Sequence, residues 1–117
     1  MNASEFVDVI GEVVRDAAVV DVISLVQSPP HRVPPQDLVE LGGWYNALDE
    51  HAQEMANRML AMVARAAVFG FLCVLDGSRE VERQRGSKGY FELRYVKNEK
   101  IDVLCGPSGQ VLHELLE

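Results

Sequence analysis

The residues able to do chemistry are few and scattered: His31, His51 and His113, Cys73 and Cys105, Ser108, and the run Gly86-Ser87-Lys88-Gly89. No two histidines stand four apart and H-E-x-x-H is missing, so no metal-binding motif is present. A ligand set of His113, Glu114 and Cys105 would rest on nearness in sequence alone. Cys105 is the better-placed thiol, because it ends an expected strand before Gly106, whereas Cys73 falls inside an apolar helix. A cysteine nucleophile needs a neighbouring base or a lowered pKa. Spacing supplies neither, so structural cysteines are expected, with a small enzyme built on Cys105 and His113 or Glu114 as the alternative. Ser108 has Gly106 before it and Gly109 after it, but Gln110 stands where G-x-S-x-G requires glycine. The Gly86-Ser87-Lys88-Gly89 run lacks the frame and following helix of a phosphate loop and reads as a turn. The expectation is therefore no catalytic residue, no metal and no cofactor.

Two further features suit recognition rather than catalysis. Trp44 and Tyr45 are adjacent aromatics beside Gly42-Gly43, and large rigid side chains make good interface anchors; they are the candidate partner-binding residues, with core packing as the alternative. Arg65 is the last charge before an all-apolar stretch. It is expected to snorkel to the surface or to pair with Glu12 or Asp16.

Charge narrows the partners. The chain has 117 residues and a net charge of -7. All of that excess sits in residues 1–76, where eleven acids face four bases, while residues 77–117 balance. Acidic surfaces repel phosphate backbones and anionic lipid, so neither nucleic acid nor membrane is an expected partner; a basic protein is. Two cysteines without C-x-x-C spacing indicate no disulfide framework. With Glu5 and Asp8 near the N-terminus, no secretory signal is read and a cytoplasmic location is expected. The apolar run ending at Leu75 approaches membrane-spanning length, but Arg65 interrupts it, which points to a core helix.

These residues must be positioned by a single domain, 1–117, with a helical part (1–76) and a strand-rich part (77–117). At this size folding should bury about two-thirds of the unfolded surface. Ser4 is the expected cap of an amphipathic helix carrying Phe6, Val9, Ile10, Val13, Val14 and Ala17, which continues past Asp21 after a kink, with a short strand as the alternative for the β-branched residues there. Ser28-Pro29-Pro30 and Pro34-Pro35 form a stiff connector. A second helix carries Leu38, Val39, Leu41, Trp44, Tyr45 and Leu48, bent or broken at Gly42-Gly43. Asp49 caps a long third helix to Leu75, stopped by Asp76-Gly77, with Met55, Met59, Met62, Val63, Ala66 and Phe69 as its buried stripe and Glu54–Arg58 as an exposed pair. Beyond Gly77 the apolar period becomes two. Strands around Val81, Phe91–Tyr95 and Ile101–Val103, with turns at Gly86–Gly89 and Asn98-Glu99, predict a three-stranded antiparallel meander covering the central helix, followed by a short last helix with Val111, Leu112, Leu115 and Leu116. The fold class is α+β.

The words Ser28-Pro29-Pro30, Trp44-Tyr45-Asn46, residues 67–77 and Leu112-His113-Glu114-Leu115-Leu116 resemble a family of small acidic bacterial proteins of unknown function. In size and charge, though not in motif, the chain is also similar to immunity proteins that neutralise toxins. The resemblance implies a bacterial origin and assigns no site. The resulting expectation is a non-enzymatic, acidic protein-binding domain of the bacterial cytoplasm, immunity- or inhibitor-like. A structural homodimer joined through the apolar end of the long helix is a further alternative, favoured if the sheet is too small to cover that helix.

Overall fold

The computed structural model describes every residue except His31, Gln84, Arg85 and Ser108. Helix α1 (Ala3–Ile10) passes through a π-helical segment (Gly11–Asp16) directly into α2 (Ala17–Gln27). The cap is Asn2, whose side chain accepts from the Glu5 amide, rather than the expected Ser4. The irregularity in this helix lies before Ala17, and Asp21 sits in unbroken helix. After the proline connector, α3 (Gln36–Ala47) runs straight through Gly42-Gly43. Gly42 allows close approach instead of a break: a Cβ there would stand 2.4 Å from the Val26 carbonyl oxygen. Asp49 caps α4 (Glu50–Leu75) by accepting from the Ala52 amide, and Gly77 stops it at φ +82°.

Among the described residues only two strands form, β1 (Leu93–Lys97) and β2 (Lys100–Cys105), joined at Asn98-Glu99 with both turn residues at positive φ. The paired positive values match the twist of a tight hairpin. The expected third strand at Val81 is absent, and Val81 and its described neighbours belong to no ladder. The short last helix is a 3-10 turn, Leu112–Leu115. The architecture is thus α+β, with one long central helix, a two-stranded antiparallel hairpin and a C-terminal 3-10 turn.

The core lies at one end of the molecule. Ala3 and Val7 of α1, Leu72 of α4, Cys105 of β2, and Leu112 and Leu116 pack together, with Phe6, Val68, Phe69 and Leu93 around them. A second contact docks α3, where Tyr45 is buried, donates its hydroxyl to Asn57 at 2.7 Å, and accepts the Gln53 amide on its carbonyl. Between these contacts α4 is bare on one side. Its inward positions are the small Ala56 and Ala64 together with Leu60 and Val68, while Met55, Met59, Met62, Val63 and Ala66 face solvent. The expected buried stripe is therefore the exposed one, Phe69 excepted. A helix apolar on most sides offers two stripes, and the neighbours chose the one of smaller residues, which lets backbones approach closely.

The bulk dimensions record the same incompleteness. The accessible surface is 8802 Å², whereas a folded monomer of this mass exposes about 6,300 Å². The radius of gyration is 18.7 Å, against about 13 Å for a chain of this length. Roughly half of the unfolded surface is buried, less than the expected two-thirds.

Candidate functional site

Three places concentrate chemistry or unpartnered surface. The first is a polar clasp at the end of α4, where the helix stop throws Asp76 toward the C-terminal 3-10 turn. Asp76 Oδ2 accepts the His113 amide at 3.0 Å and lies 2.7 Å from His113 Nδ1, while Oδ1 accepts the Ser78 amide. A carboxylate only accepts, so Nδ1 carries the proton and donates. Burial penalises the Asp76 charge, but hydrogen bonds from Ser78 and His113 outweigh it and hold the carboxyl below its ordinary pKa. Ser78 Oγ also sits 3.3 Å from Nδ1. A serine-activating triad needs the serine on one ring nitrogen and the carboxylate on the other. Here both crowd Nδ1, so the group ties the chain end to the helix rather than preparing a nucleophile.

Cys105 lies beneath this clasp. It is buried, and its thiol donates to the Leu75 carbonyl at 3.0 Å. Burial, and then the nearby Asp76 charge, push its pKa up. This is the opposite of what a reactive cysteine needs. Cys73 is also buried and unbridged. Among the described residues no three His, Cys, Asp or Glu side chains converge as a metal-ligand set. His31 and Ser108, considered from the sequence, lie outside the described residues.

The second place is a cleft of ≈ 430 Å³ between the end of α4, residues 79–82, residues 88–91 and Gly106-Pro107. Some of its polar groups satisfy one another. Lys88 pairs with Glu80, and Glu82 accepts the Gly89 amide. Of Gly86-Ser87-Lys88-Gly89, expected to turn a hairpin, Lys88 and Gly89 line this cleft, and among the described residues no strand flanks the run.

The third is the bare face of α4. Met59 is 67% and Met62 is 72% exposed, with Met55, Val63 and Ala66 beside them. Arg58 and Arg65 border this strip, both exposed. Arg65 lies over the Phe69 ring, 5.6 Å from its centroid, and does not pair with Glu12 or Asp16; Asp16 is held by Arg15. Glu54 and Arg58 form no ion pair with each other among the described residues. By length and composition α4 could cross a membrane, and only 22% of its apolar window is buried.

Trp44 and Tyr45 divide on helix α3. The Trp44 side chain is 57% exposed, and Tyr45 is in the core. The signal that could have located the α4 face was present in the spacing of Met55, Met59, Met62 and Ala66, an alternating four-three-four repeat suited to a helix partner. Compared with known protein families, curated proteins and solved structures, the chain matches none.

Proposed function

We propose that the chain is a non-catalytic protein-binding domain that works through the exposed face of α4, with Trp44 as a second anchor. The observation that carries this reading is the continuous strip of Met55, Met59, Met62, Val63 and Ala66 left in water by a helix that is packed only along its inner side. Exposed apolar strips of this kind mark association sites, and methionine suits them because its flexible thioether adapts to the opposing surface. The excess accessible surface supports the same reading. The protonated, buried Cys105 thiol and the doubly occupied Nδ1 of His113 argue against the alternative of an enzyme at that end.

The test uses Met59→Asp and Met62→Asp. Both positions are exposed, so each change should alter the folding of the unassociated chain by no more than about 0.5 kcal/mol. Chemical cross-linking in lysate of the source cells is expected to join the wild-type chain to a protein, its own copy included, and both variants should lose that product while keeping the helical circular dichroism. Products unchanged by the substitutions, or no protein product with the wild type, would overturn the reading.

A further inference from the structure

We propose that the bare face of α4 closes on a second copy of the same chain, the two α4 helices lying antiparallel about a twofold axis that passes between Met59 and Leu60. This rests on the protein-binding reading above and names its partner.

The first argument is area. The chain exposes 8802 Å², some 2,500 Å² more than the roughly 6,300 Å² of a self-sufficient monomer of its size. Obligate homodimers bury about 1,000 to 2,500 Å² on each partner. Part of this surplus lies on the described residues of 77–92, all of them exposed, and the bare α4 face supplies an apolar part that a second copy would cover.

The second argument is self-complementarity. An interface across a twofold axis must match its own surface. With the axis between Met59 and Leu60, equal rise per residue sets Met55 level with Ala64 of the second copy and Met62 level with Asn57. Met55, Met59, Met62 and Ala66 of each helix then fall between the same residues of the other, as in antiparallel coiled-coil packing. In that register Glu54 stands level with Arg65 of the second copy, and Arg65 with its Glu54. At 100° per residue the two lie on the same edge of the apolar strip, and a twofold antiparallel pair brings like edges to one side. Both side chains are exposed, and among the described residues neither has an ion-pair partner in its own chain. The seam is thus apolar along its length, with Glu54 and Arg65 meeting twice on one edge and the two Arg58 side chains three residues apart on that same edge beside the axis.

Lipid is the weaker occupant. Arg65 sits in the middle of the apolar window, and a chain of net charge -7 is repelled by anionic bilayers. A basic protein is separable from a second copy by salt. Its attraction to an acidic chain is screened, whereas two like-charged copies joined by an apolar seam hold as well or better when salt rises.

The test measures the mass of the purified full chain by sedimentation across a wide dilution series, at low and high salt, with and without phosphatidylglycerol vesicles. The wild type is expected to be a dimer that salt does not dissociate. Met59→Asp should weaken it more than about 100-fold, and Glu54→Arg or Arg65→Glu roughly tenfold each. The double variant Glu54→Arg/Arg65→Glu should recover the wild-type constant, which only pairing between these two positions explains. A dimer indifferent to Met59→Asp, or a double variant no better than the singles, overturns the proposal. A monomeric wild type overturns it too, and the lysate cross-linking then decides the broader reading: a foreign protein lost on Met59→Asp preserves that reading, and no product removes it. Sedimentation with vesicles in place of dimerisation overturns both.

Discussion

At the residue scale the most consequential group is Asp76, whose carboxylate accepts from two backbone amides and one imidazole and so fastens the C-terminal turn to the end of α4. Asp76→Ala removes those acceptors and leaves the donors under-satisfied, a loss of about 2 to 3 kcal/mol in urea denaturation. The pH dependence follows from the lowered pKa. The folded protein holds the Asp76 proton less tightly than the unfolded chain, so its stabilisation is complete above the unfolded carboxyl pKa and disappears as pH falls through the lower folded value. Asp16 and Asp102 are also held low, by Arg15 and by the chain amino group, but Asp16 is exposed and Asp102 only half-buried, so both are screened. Stability of Asp76→Ala measured between neutral and strongly acid pH should therefore fall less steeply than that of the wild type; equal slopes would show that the clasp contributes nothing. Cys105 gives the companion prediction. With its thiol protonated and donated to Leu75, iodoacetamide at neutral pH should label it far more slowly than an unfolded control, in step with opening of the fold.

At the element scale the paired glycines of α3 behave oppositely. Gly42→Ala would drive a Cβ into the Val26 carbonyl, a backbone atom that cannot swing aside, and should cost about 2 kcal/mol or more. A Cβ on Gly43 meets nothing within 4 Å. Gly43→Ala should therefore stabilise by about 0.5 to 1 kcal/mol through helix propensity alone. Thermal melts of the two variants shifting in the same direction would refute the packing assigned to α3. The same contrast shows where local sequence was informative. Asp49 and Gly77 announce the ends of α4, and Asn98-Glu99 announces the hairpin, because caps and turns are chemistry within a few residues. Gly42 resembles Gly43 in sequence, and only the passing of α2 separates them. The third strand failed for a related reason: Val81 is apolar, but a strand needs a ladder partner, which its own residues do not specify. On α4 periodicity found an apolar stripe at Met55, Met59 and Met62 correctly and assigned it the wrong environment, since a period reports a face and not what covers it. The π-helical segment at Gly11–Asp16 carried no local signal that the sequence analysis used.

At the scale of the whole molecule the chain divides into a packed end and an open one. Core residues from α1, α4, β2 and the 3-10 turn gather around Leu72 and Leu112, while the Met59 and Met62 region of α4 is held only on its inner side, and the helices that pack along α4 are the π-helical segment and α2. If a second copy completes that open side, folding and association are linked, and the protein's stability depends on its concentration. For a dimer of this size the linkage amounts to about 3 °C in Tm for each tenfold rise in protein concentration, because RT ln 10 is divided by the unfolding entropy of two chains. Scanning calorimetry across two or more decades of concentration should show that slope in the wild type. In Met59→Asp the slope should vanish, with Tm at every concentration no higher than the wild-type value at greatest dilution. A wild-type Tm independent of concentration, together with a monomer mass, would mean that the packed end alone sustains the fold. The exposed methionines would then have to be explained by a partner of different sequence.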